Sequence, residues 1–181
     1  SISRALVENH VANSVYGLDS DDKIIKKCYD LNLLVQGETN LKNFDLQFDL
    51  IIICTPLSAY KNIFSSLSDY ISQPTLITDV GSTKISTISD FKNTVTNKNM
   101  TFVPSHPIAG LEKSGPEYGF SKLFDNRYCI LTPHEKNDAA VSSISQMWKS
   151  IGMIVEIMEA DRHDRVLAMT SHIPQLIAFS V

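Results

Sequence analysis

The densest chemistry in the 181-residue sequence sits in one run, Phe102-Val103-Pro104-Ser105-His106-Pro107-Ile108-Ala109-Gly110-Leu111-Glu112-Lys113-Ser114-Gly115-Pro116. It gathers an imidazole, a carboxylate, an ammonium and two hydroxyls among three prolines and two glycines. Fixed φ at proline and freedom at glycine suit a segment that holds polar side chains in set positions. An imidazole held between two short turns is a candidate general base. The competing reading makes His106 an incidental member of a surface loop. A Ser-His hydrolase is a separate idea: Ser105 and His106 are sequence neighbours rather than a spatial triad, and no GxSxG elbow is present.

Positioning such residues requires regular elements, and short apolar runs alternate with helical patterns along the chain. Ser14–Leu18 reads as a strand ending at Asp19, followed by a helix to about Leu33. Asp49–Cys54 is apolar without alternation, as a strand buried on both faces should be, and Thr55-Pro56 stops it. A helix follows over about Ser58–Tyr70, then the strand Thr75–Val80, Gly81, and a helix starting near Ser82. Further strands are expected at Thr101–Val103, Tyr128–Leu131 and Met153–Met158, and a helix at about Ala139–Ile151. From Ala160 onward the pattern is helical, interrupted by Pro174. This alternation predicts an α/β fold with a mostly parallel sheet, in which ligands bind beyond the carboxyl ends of the strands.

Four further places therefore carry a functional reading beside a plainer one. Asp19 closes a strand where a carboxylate can accept hydrogen bonds from the adenosine ribose of NAD and repel the 2′-phosphate of NADP; alternatively it caps the next helix. Thr55-Pro56 either lines a cofactor or simply ends a strand. Gly81-Ser82 offers a turn with a hydroxyl, or Ser82 is an N-cap. On the last helix, His163-Asp164 and the neighbouring polar residues read by default as a solvated face, with His172 beside the Pro174 kink as the exception. No HExxH-type metal spacing occurs.

Composition narrows the class. With 43% hydrophobic and 20% charged residues, the sequence matches a globular protein, and a net charge of −4 argues against a nucleic-acid partner. Three scattered cysteines without CxxC spacing speak against a disulfide framework or zinc site and suit a reducing cytoplasm. No apolar run is long enough for a membrane span. The first residues read as the middle of a helix. The last, Leu176–Val181, form an apolar stretch without a stop signal. The chain is therefore read as a fragment, its first strand and glycine-rich phosphate loop lying at or before Ser1.

Taken together, Asp79-Val80-Gly81-Ser82-Thr83-Lys84, Ser105-His106-Pro107-Ile108-Ala109-Gly110 with Glu112-Lys113-Ser114-Gly115, Cys129–Pro133, His163-Asp164 and Ser171-His172-Ile173-Pro174 resemble the prephenate and arogenate dehydrogenases of tyrosine biosynthesis. The resemblance implies a Rossmann-type dinucleotide-binding domain over residues 1–159, lacking its first strand and glycine loop. Residues 160–181 then begin an all-helical dimerisation domain. It implies an NAD-dependent enzyme, a cytoplasmic homodimer when full length, acting on a small-molecule substrate, prephenate or arogenate. By that likeness His106 is the catalytic histidine and Ser82 the serine beside it and the nicotinamide. Gly110, Glu112 and His172 line the substrate pocket, and Asp19, Thr55, Pro56, Gly81 and Ser82 contact the cofactor. An arginine that the family uses for the substrate carboxylate falls beyond Val181. Leu111 departs from an expected small hydroxyl residue. Two rivals stand beside this reading: an arogenate or dual-specificity cyclohexadienyl dehydrogenase, and a non-catalytic nucleotide-binding module, which has no need of His106 or Glu112.

Overall fold

Leu50–Ile53 forms strand β3, the apolar strand expected from its composition, and it lies in register with Thr75–Asp79 (β4), Ile53 opposite Asp79. Met100–Phe102 (β5) adds to the other side of β4, giving a parallel sheet of order β3-β4-β5. Parallel pairing requires crossovers, and helices α3 (Tyr60–Tyr70) and α4 (Ile85–Thr94) supply them. Tyr60, Phe64, Phe91 and Phe102 meet edge-on or tilted between these helices and the sheet, with centroid separations of 5.0–5.9 Å. All four rings are buried, and their removal from water stabilises this part of the chain.

The computed structural model describes residues 1–111 and 113–172. The chain divides into two compact units. One comprises Asp49–His106, Ile130–Ser142 and the chain from Glu156 onward, and contains β3, β4, β5, α3, α4 and the helix α6 (Ala160–Leu167). The other comprises Ser1–Phe48, Pro107–Cys129 and Ser143–Val155.

In that other unit, α1 (Ile2–Glu8) precedes β1 (Tyr16–Leu18), which pairs in parallel with β2 (Gln36–Glu38) across helix α2 (Asp22–Asp30). β2 was not expected: Gln36-Gly37-Glu38 carries no apolar pattern, and only its pairing with β1 makes it a strand. Its glycine has a steric reason, because a Cβ on Gly37 would lie 2.8 Å from Ile25 of α2. Tyr16, Phe44 and Phe48 form a mutual edge-on cluster.

A third strand set has the order β6 (Ser105–Pro107), β7 (Tyr128–Leu131), β8 (Ile154–Ile157), and α5 (Asp138–Ser150) precedes β8. β6 corrects the expectation of a loop at His106. Its three residues include a proline and show no alternation, so the sequence carries no strand signal there. Helix α4 also begins at Ile85, three residues later than Ser82. After α6, residues 168–172 form a π-turn. No helix among the described residues is long and apolar enough to cross a membrane.

Candidate active site

The carboxylate of Asp79, at the end of β4, organises the unit that holds His106. Its Oδ2 accepts from Lys84 Nζ (2.6 Å), Gly81 N–H (2.9 Å) and Tyr60 Oη–H (3.1 Å), and its Oδ1 accepts from Ser105 N–H (3.0 Å). Asp79 and Lys84 both have side chains 0% exposed. A buried charge pair is tolerable only when its remaining hydrogen-bonding capacity is used, and here Lys84 also donates to Ser105 O (2.7 Å). Burial raises the Tyr60 hydroxyl pKa well above its ordinary value, and the Asp79 charge raises it further. Tyr60 therefore remains a donor.

This network explains Gly81. A Cβ there would fall 2.6 Å from Leu57 and 2.8 Å from Asp79 Oδ2, so the carboxylate could not fold beneath the turn. Ser82 follows on the exposed face of that turn. It is not the N-cap of α4, which corrects the plainer reading. The cap position is Lys84, and Asp164 from α6 accepts the amides of Lys84 (2.8 Å) and Ile85 (3.0 Å). Thr55 and Pro56, exposed just past β3, stand at the carboxyl end of the strand paired with β4.

Ser105 is fully buried: its hydroxyl donates to Asp79 O and lies 2.9 Å from Thr78 Oγ1. That makes it a brace between β4 and β6 rather than a nucleophile. The next residue, His106, is half-buried, and its Nδ1 lies 2.9 Å from Nε2 of His163. His163 Nδ1 in turn lies 2.7 Å from Asp164 Oδ1. The expectation that His163 sits on a solvated helix face is wrong, since its side chain is 0% exposed. Burial lowers the His163 pKa, and the Asp164 hydrogen bond and charge only partly oppose this. For Asp164, burial acts to raise the pKa. Hydrogen bonds from the Ile85 amide, His163 and the Lys84 amide outweigh it, and the carboxyl rests below its ordinary value.

Asp19, in the other unit, ends just past β1, and its Oδ1 accepts from Asp21 N–H (2.9 Å). Asp21, not Asp19, is the N-cap of α2, accepting from Lys23 N–H. The capping reading therefore belongs to its neighbour. Gly110 is exposed, with open space where a Cβ would point. Glu112 and the His172 side chain lie outside the described residues. Sequence reasoning missed Lys84, Tyr60 and the His163–Asp164 pair. The spacing Asp79-x-Gly81-x-x-Lys84 was the available signal for the first of these.

A parallel sheet whose carboxyl ends present a glycine turn, a hydroxyl and an imidazole, with an acid closing a separate parallel strand, defines an α/β nucleotide-binding domain of the dinucleotide type. Residues 2–157 match the family model described as prephenate dehydrogenase, nucleotide-binding domain. The chain belongs to the prephenate dehydrogenase family. It is 33% identical to cyclohexadienyl dehydrogenase of Zymomonas mobilis over 90% of this chain and 55% of that protein. Identity to prephenate dehydrogenase of Bacillus subtilis is 31%, over 100% of this chain and 49% of the relative. The chain thus spans about half the length of these curated relatives. Among solved structures, prephenate dehydrogenase from Aquifex aeolicus, in complex with hydroxyphenyl propionate and NAD+, superposes with a TM-score of 0.90 at 31% identity. That match covers 99% of this chain and 62% of the other.

Proposed function

We propose that the protein oxidatively decarboxylates prephenate to 4-hydroxyphenylpyruvate with NAD, residues 1–159 forming the nucleotide-binding part and residues 160–181 opening a helical, dimer-forming part. The observation that carries this reading is His106, half-buried beside the Asp79–Lys84–Ser105 network in a chain of this family. The residues fit NAD: Gly81 forms the tight turn at the end of β4, Ser82, Thr55 and Pro56 are exposed past the carboxyl ends of β4 and β3, and Asp19 closes β1. When bound, NAD supplies the hydride acceptor for C4 of the substrate ring. His106 accepts the C4 hydroxyl proton as the C4 carbonyl forms. Loss of CO2 from C1 then aromatises the ring, and the proton returns to the phenolate oxygen. Ser82 orients the hydroxyl, Gly110 and Glu112 border the ring, and His172 completes the pocket. Because aromatisation supplies much of the driving force, positioning and one base suffice.

The 33% identity to a cyclohexadienyl dehydrogenase favours a second reading in which arogenate is also turned over. Both are tested on the intact protein by following NADH formation with each substrate. Replacing His106 with Asn should lower kcat about 10²–10⁴-fold, the usual contribution of a general base, with KM changing far less. Near wild-type kcat in that variant would remove His106 from the mechanism.

A further inference from the structure

The His106 ring does not stand alone. Its Nδ1 meets His163 Nε2 at 2.9 Å, His163 Nδ1 meets Asp164 Oδ1 at 2.7 Å, and Asp164 is itself anchored by two backbone amides at the start of α4. We propose that His163 and Asp164 are positioning residues that hold His106 in one tautomer, protonated at Nδ1, so that its basic lone pair is on Nε2.

The assignment follows from counting protons along the line. The amides of Lys84 and Ile85 both donate to Asp164, which favours an ionised carboxylate that can only accept. The proton at the 2.7 Å contact therefore belongs to His163 Nδ1. In a neutral His163, Nε2 then holds a lone pair, and the 2.9 Å contact requires a proton on His106 Nδ1. The charged groups around His163 are Asp164 on its own helix, Lys84 before α4 and Asp79 at the end of β4. Lys84 opposes a proton on His163, as does burial, whereas Asp79 and Asp164 favour it. The net lowering keeps the ring a neutral acceptor.

This inference rests on the proposed dehydrogenase reading for its chemical consequence. When the substrate O–H bond breaks and an N–H bond forms at His106 Nε2, the Nδ1–H bond to His163 is kept. The new imidazolium is then stabilised by the Asp164 charge relayed through the neutral ring. If His163 donated instead, the His106 lone pair would be consumed at Nδ1 and Nε2 would carry a proton from the start. The orientation of the relay thus decides whether His106 is a base.

The test uses the intact protein. His163→Leu should lower kcat by about 10²-fold, the lower end of a general base contribution, with KM values for substrate and NAD little changed. The acid limb of the kcat profile should move to lower pH, because the imidazolium loses its remote carboxylate. His163→Gln, whose amide oxygen can still accept from His106 Nδ1–H, should recover most of the loss. A merely structural role predicts equal kcat in the Leu and Gln variants, with an unmoved acid limb, and that result overturns the proposal. Nitrogen-15 spectra of the wild-type imidazoles give a readout independent of turnover. At pH above the acid limb, a protonated Nδ1 and unprotonated Nε2 in His106 support the relay, and the opposite tautomer overturns it. If the wild type oxidises neither prephenate nor arogenate, the functional reading fails, while the tautomer result still decides the relay.

Discussion

The two units hold their candidate ligand-facing residues by opposite means. At the end of β4, Asp79 is buried and accepts four hydrogen bonds, from Tyr60, Gly81, Lys84 and Ser105, so each partner's position depends on the others. At the end of β1, Asp19 is part-exposed, and its carboxylate accepts from the amide two residues on. An ion pair of that unit, Lys27–Glu117 at 3.0 Å, is open to solvent. Burial multiplies the consequence of every polar contact, because water cannot replace a lost partner. A turn at the surface is held by local backbone geometry, and its side chain can be exchanged cheaply. The buried end of β4 is therefore held by mutual dependence, whereas the side chain of the Asp19 turn can be exchanged with little disturbance to the fold.

The sharpest way to break this contrast is Lys84→Met. It leaves Asp79 charged, buried and without its cation, which should cost about 3–5 kcal/mol of stability. Denaturant unfolding of the intact protein measures this, and a loss below ~1 kcal/mol would mean that the buried pair does not organise the site.

Acidification should come next in size. Burial lowers the pKa of His163, and likewise of His134, whose ring nitrogens have no hydrogen-bond partner among the described residues. A histidine whose folded pKa lies below its unfolded value binds its proton more readily when unfolded. Stability is then lost as pH falls through about 6.5 and continues downward until the folded pKa is reached. Melting temperature should drop across that window. His134→Phe, which suits the aromatic surroundings of Phe91 and Phe102, should flatten the slope. An unchanged slope would assign the acid sensitivity elsewhere.

Asp19→Asn should have the smallest effect on the fold, because an amide oxygen can still accept from Asp21 N–H. Melting temperature should hold, while the ratio of kcat/KM for NAD over NADP falls about tenfold, equivalent to roughly 1.4 kcal/mol of like-charge repulsion. A ratio that does not move would detach Asp19 from cofactor choice.

Most of the parallel scaffold was legible in advance. Asp49–Cys54 announces β3 by an apolar run without alternation, Thr75–Val80 announces β4 as a short β-type run closed by Gly81, Tyr128–Leu131 marks β7, and Thr55-Pro56 marks where β3 ends. These signals are local: side-chain branching, burial and turn chemistry act within a few residues. The HPIAG segment likewise pointed to His106 from residue types alone. β2 and β6 were not legible, because Gln36-Gly37-Glu38 and Ser105-His106-Pro107 carry no apolar run and become strands only through their partners.

The largest difference between reading and structure concerns Lys84, His163 and Asp164. In sequence, Lys84 is one of many lysines, and His163-Asp164 lies 57 residues beyond His106 in a polar helical stretch that looks solvated. Only the packing of α6 against the start of α4 buries His163 and turns Asp164 onto the helix amides. Residue types and local patterning set which residues could do chemistry and where the strands would present them. Tertiary structure decided which of them are charged, which nitrogen of His106 carries the proton, and which contacts lie out of reach of water. Protonation and hydrogen-bond strength depend on burial and on partners brought together across long loops, and no local pattern encodes either.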